Sequence, residues 1–158
     1  MSLVRMILLF VAAMLLQWWL SAYFLVFDMA PRLLLVLTVA IATRLGPIPG
    51  MCYGFAWGLF LDVLRAQLFG ANALAYTIIA YGTGAVRRQI DVVGVGPQAV
   101  TVLLMTWGYL LLSGFLGLIF IKVFFFPGWR VFLLNPLSNA VLVPIVYVFW
   151  EKFMVVRR

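Results

Sequence analysis

The stretch GPIPGMCYGFAWGLFLD, residues 46–62, decides how this chain is read. Two prolines two apart, Pro47 and Pro49, do not lie inside a regular helix, so the chain is expected to break at Gly46-Pro47-Ile48-Pro49. A helix then follows over about 49–64, with Asp62, Arg65 and Gln67 marking its polar exit. Gly46, Gly50, Gly54 and Gly58 recur at intervals of four, and Asp62 stands at the next interval. Residues four apart line one ridge of a helix. A ridge of glycines is a groove without side chains, and another helix can approach it closely, gaining dispersion and Cα–H···O contacts. In lipid there is no hydrophobic drive for helix pairing, so small residues carry that task. The occupant of the groove is either a helix of the same bundle or a helix of a partner, and spacing alone leaves both open.

Outward from this stretch the chain is a series of apolar runs. Residues 6–27 carry no charge; as a helix they span about 33 Å, enough to cross a bilayer. The run is too long for a signal-peptide core, and no prompt small-x-small cleavage pattern follows it. Pro31, after Asp28, suits the first turn of a second helix over 31–45. That helix is short, so local thinning of the bilayer or snorkelling of Arg44 is expected. A fourth helix is expected over 69–86, ending at Arg87-Arg88. Gly94-Val95-Gly96-Pro97 is a turn, with Pro97 opening a fifth helix over 97–120. Residues 121–134 are very apolar yet contain Lys122, Pro127, Gly128 and Arg130, and read as an interfacial or re-entrant connection. Asn135-Pro136 opens a sixth helix over 136–152, with Pro144 expected to kink it. The expectation is an all-α polytopic membrane protein, a six-transmembrane-helix bundle forming one domain over 1–158.

Composition agrees. Of 158 residues, 67% are hydrophobic and 9% are charged, and mean hydropathy is +1.20. A soluble domain carries roughly a quarter charged residues, so a soluble enzyme and a disordered chain are both excluded. There is no histidine to act as base or metal ligand. The single cysteine, Cys52, allows no intrachain disulfide or cysteine-rich metal site; between Met51 and Tyr53 it is expected to be buried. No catalytic constellation, cofactor site or metal site is expected. Gly94-Val95-Gly96-Pro97-Gln98-Ala99 fits the G-x-G-x-x-A dinucleotide fingerprint, but the next acid after Asp91 is Glu151, so the acid expected about twenty residues on is missing.

Net charge is +7, yet the basic residues sit singly or in pairs at the ends of apolar runs. This is a topology and lipid-headgroup pattern, and nucleic acid is not an expected partner. With both termini cytoplasmic, the inner segments hold Arg5, Arg44, Arg87, Arg88, Lys152, Arg157 and Arg158, and the outer loops hold Arg32, Arg65, Lys122 and Arg130. Seven against four favours termini on the inside. Arg87 and Arg88 form a basic edge, read as anchoring or as a contact for anionic lipid or a partner's tail.

Asp62 lies near the C-terminal end of its helix, where the macrodipole disfavours an anion. Something must compensate it, and Arg65 at i+3 is the local candidate. Proton relay is disfavoured, because no second acid falls within a span to receive the proton. Trp18-Trp19, beside Gln17, lie too deep for an interfacial belt and read as lipid-facing or packed, with a partner contact as the alternative.

The stretch GMCYGFAWGLFLDVLRAQLFGANAL, residues 50–74, with Gly50, Gly54, Gly58, Asp62, Gly70 and Ala73-Leu74, resembles the rod-shape-determining protein MreD family. Pro31, Tyr81-Gly82 and Arg87-Arg88 fit around it; the C-terminal half matches only in hydropathy and its basic tail. The resemblance implies a bacterial inner-membrane component of the elongation machinery, working with MreC. Through MreC it would meet the RodA glycosyltransferase, a class B penicillin-binding transpeptidase and, indirectly, MreB. It also implies a fold similar to the substrate-binding subunits of energy-coupling-factor transporters, and no enzyme activity. The competing function is a vitamin-type substrate-binding transporter subunit. Its pocket would need convergent polar groups, for which Gln17, Asn72, Thr77, Gln98, Asn135 and Asn139 are the candidates.

Overall fold

The computed structural model describes residues 3–23, 31–64, 68–89 and 94–153. Among them are six helices: α1 (Leu3–Tyr23), α2 (Leu33–Leu45), α3 (Pro47–Leu64), α4 (Ala71–Val86), α5 (Val95–Ile121) and α6 (Trp129–Phe153). The regular structure among the described residues is all helical, as expected. α3, α5 and residues 129–152 of α6 are each long and apolar enough to cross a membrane.

α2 is the axis of the bundle and packs against all five other helices. Every residue from Leu33 to Thr43 is buried. A helix apolar all round is a buried helix, and its two hydroxyls are satisfied within it: Thr38 donates to Leu34 O at 2.7 Å and Thr43 to Ala40 O at 3.0 Å. Thirteen residues make about 20 Å of helix, which suffices for an element surrounded by protein. Arg44 therefore does not snorkel outward. Its side chain is 8% exposed and turns onto α6, over the rings of Tyr147 and Trp150, with Nη1 3.3 Å from Glu151 Oε1.

The break at residues 46–49 is sharper than expected. Gly46 alone joins α2 to α3, at φ +106, a left-handed conformation that glycine adopts without strain. α3 opens at Pro47, not Pro49, because the first four N–H groups of a helix have no intrahelical partner and both prolines fit that first turn. Pro31 precedes α2 instead of opening it, since Arg32 is the N-cap.

α6 departs most from expectation. It begins at Trp129, leaving only residues 122–128 as a connection, and Pro136 lies inside it. A proline at 136 frees the carbonyl four residues back, on Phe132. The Trp107 indole N–H of α5 donates to that oxygen at 3.0 Å, so the helix continues through. The connection folds back on α5, where a Cβ on Gly114 would lie 2.8 Å from the Phe124 ring and one on Gly117 would meet Phe125.

Cys52 is exposed. The face of α3 turned inward carries Gly50, Tyr53, Gly54, Trp57, Gly58 and Asp62, and position 52 falls off it. Trp18 and Trp19 are outward-facing on α1.

Candidate functional site

The glycine ridge of α3 lies inside the bundle. A Cβ on Gly50 would come 2.6 Å from Ala42 Cβ of α2, one on Gly54 3.0 Å from Tyr76 O of α4, and one on Gly58 would run into the Ala73 backbone. Gly84 of α4 repeats the arrangement at the opposite end, where an added Cβ would lie 2.5 Å from Pro47 Cβ and 2.7 Å from its Cα. α3 and α4 thus form a hairpin with backbone-to-backbone approach at both ends. Gly46 shares the four-residue interval but belongs to the α2–α3 turn.

That close approach carries Asp62 to the N-terminus of α4. Asp62 is 1% exposed. Its Oδ2 accepts from Gly70 N at 3.0 Å and Ala73 N at 3.1 Å; its Oδ1 accepts from Asn72 N at 3.1 Å and Asn72 Nδ2 at 2.8 Å. The first N–H groups of a helix are unpaired and its N-terminus is electropositive. Asp62 therefore caps a helix other than its own, and this answers the unfavourable dipole of α3. Arg65, the expected partner, lies outside the described residues.

From Asp62 the bonds continue across the bundle. Tyr109 of α5 donates its hydroxyl to Asn72 Oδ1, and Arg32 Nη1 donates to the Tyr109 oxygen at 2.8 Å. The guanidinium also stacks over the Tyr109 ring at 4.5 Å. Anion and cation are thus joined through two neutral groups. The Arg32 backbone N–H donates to Asn139 Oδ1 of α6 at 2.8 Å, and Asn139 Nδ2 donates to Thr106 Oγ1 at 3.1 Å and Asn135 Oδ1 at 3.3 Å. Gln17 of α1 joins at the α2 entry, donating to Pro31 O and accepting from Leu34 N, both at 3.3 Å. Every helix contributes to this network or to its edge.

Of the six polar residues considered for a ligand pocket, Asn72, Asn135, Asn139 and Gln17 are bonded within this assembly. Thr77 donates to Ala73 O in its own helix at 2.7 Å, and Gln98 is buried at the opposite end of α5. Arg32, Thr106 and Tyr109 were not visible as site residues from sequence. Arg32 read as a topological charge, and Tyr109 and Thr106 sit in a long apolar run. Arg87 and Arg88 are exposed at the end of α4. Among the described residues no cluster of three metal-ligating side chains occurs.

No curated protein and no solved structure matches the chain, so the likeness to energy-coupling-factor subunits has no structural counterpart to support it. A family model described as rod shape-determining protein MreD matches residues 1–153, spanning all six helices and both the glycine interface and the Asp62 network. The chain belongs to the MreD family of rod shape-determining membrane proteins.

Proposed function

We propose that this chain is a non-catalytic scaffold or regulator of the bacterial elongation (rod) complex, supporting side-wall peptidoglycan synthesis through helix–helix contacts. The observation that supports this is where the polar side chains go. Asp62, Asn72, Tyr109, Arg32, Asn139 and Asn135 bond to one another across five elements. Their chemistry is spent on fixing the bundle's shape, and what is left for partners is that shape and its apolar outer faces. MreC is the direct partner; the RodA glycosyltransferase and the class B transpeptidase are reached directly or through MreC, and MreB indirectly. The setting is the inner membrane with both termini cytoplasmic, in keeping with the seven-to-four basic distribution.

The test is affinity purification of the tagged chain in mild detergent. MreC and the synthase pair are expected to co-purify. A transporter ATPase in their place would overturn the scaffold reading and favour the vitamin-type carrier.

A further inference from the structure

Buried polar atoms without a hydrogen-bond partner are rare. Six side-chain atoms among the described residues are of this kind, and four of them belong to two residues: Nε and Nη2 of Arg44, and both amide atoms of Gln98. Arg44 stands in the last turn of α2 and Gln98 in the first turn of α5. Chain order puts these turns at one end of the bundle, where α3 also begins and α4 and α6 finish.

Arg44 is held in an unusual way. Two aromatic rings cover its guanidinium, Tyr147 at 4.7 Å and Trp150 at 5.5 Å. Its one ion pair among the described residues, to Glu151, uses a single prong at 3.3 Å, and the Glu151 side chain is 49% exposed while that of Arg44 is 8% exposed. Charge-assisted bonds usually close to about 2.7–2.9 Å, and a guanidinium fork matches two oxygens of one phosphate. Glu151 thus leaves the fork half used. Cations are in excess around it. Arg87 Nη1 lies 3.6 Å from the position a Cβ would take on Gly46, two residues from Arg44, and Arg88 and Lys152 are exposed nearby in sequence. Glu151 is the one acid at this end among the described residues. Leu45, Ile48 and Val148, close in sequence to these groups, are exposed apolar residues.

We propose that this end of the bundle binds the phosphate of an anionic phospholipid headgroup. Arg44 is its two-pronged ligand, Arg87 a second cation, and Glu151 the carboxylate the phosphate displaces. The aromatic cover and outward apolar residues favour a lipid over an acidic protein tail, because an acyl chain covers such a surface and a charged peptide does not.

The test is native mass spectrometry of the full chain in mild detergent, with phosphatidylglycerol, phosphatidylcholine of the same acyl chains, or inorganic phosphate added. The expected result is preferential retention of phosphatidylglycerol, by about ten-fold, as for one charge-assisted contact. Arg44→Gln is expected to abolish the preference. Because Arg44 is buried and that variant can fail to fold, two exposed positions are read as well. Glu151→Gln removes the competing acid and is expected to strengthen retention, and Arg87→Gln to weaken it several-fold. Equal retention of the two lipids, or a Glu151→Gln variant that retains no more phosphatidylglycerol than wild type, overturns the proposal. Displacement of the lipid by equimolar inorganic phosphate overturns the lipid assignment in favour of the free anion. A co-purifying protein lost in Arg87→Gln, with phosphatidylglycerol ignored, overturns it in favour of an acidic partner.

Discussion

The Asp62 carboxylate accepts both the backbone and the side-chain N–H of Asn72, at 3.1 and 2.8 Å, ten residues ahead in the chain and on the next helix. With Gly70 and Ala73 the same carboxylate takes four donors. The ridge of α3 ends in an acid because the glycines bring the start of α4 within its reach.

Asp62→Asn is therefore expected to destabilise the protein by about 2–4 kcal/mol, since a charge-assisted acceptor becomes an amide with one N–H₂ facing backbone N–H groups. Thermal unfolding in detergent measures it. A midpoint within a degree of wild type would show that α4 does not depend on this cap.

The four-residue glycine interval alone suggests that Leu at Gly54 or Gly58 is harmful and Ala mild. The geometry makes Ala harmful too. A methyl group at 58 runs into the Ala73 backbone, which cannot rotate away, and overpacking of this kind costs about 1–3 kcal/mol. Gly82, whose added Cβ would meet nothing nearer than Met105 Cε at 4.0 Å, is the control. Gly82→Ala is expected to be neutral or stabilising by up to about 1 kcal/mol, as glycine replacement within a helix is. Accumulation in membranes and unfolding midpoints of the two Ala variants should separate clearly. Equal behaviour would remove the α3–α4 close approach from the account.

Trp107 and Pro136 form a testable pair. Trp107→Phe leaves the Phe132 carbonyl, already freed by Pro136, without its indole donor, at an expected cost of about 1 kcal/mol or more. Pro136→Ala supplies a backbone N–H in its place, so Trp107→Phe is expected to cost much less in that background. A double-mutant cycle on unfolding free energy reads the coupling; additivity would mean that the indole bond does not compensate the proline.

Topology is checked by cysteine accessibility. The native Cys52 is exposed, so it is first replaced by serine. A cysteine at position 89 and one at the C-terminus are expected to label from the cytoplasm, and cysteines at positions 67 and 129 from the opposite side. Labelling of the C-terminus from outside would reverse the orientation drawn from the basic residues.

Composition and run length are local quantities, so the class of the protein is legible in its residues alone. The sequence also located the break before α3, the four-residue glycine interval and the singular acid that continues it, all readable without knowing any neighbour. It did not reveal which faces are buried. In a membrane protein the outward faces are as apolar as the inward ones, so α2 shows no polar stripe to mark it as the central helix, and Cys52 carries no mark of its exposure. Nor did it reveal hydrogen-bond partners across helices. Among the described residues, the donors that reach the Asp62 carboxylate belong to the start of α4, eight to eleven residues on, where no spacing rule points. Pro136 read as a helix start because its compensating donor, Trp107, lies on α5. Those assignments depend on which backbones approach which, and that is a property of the packed bundle and of no single segment.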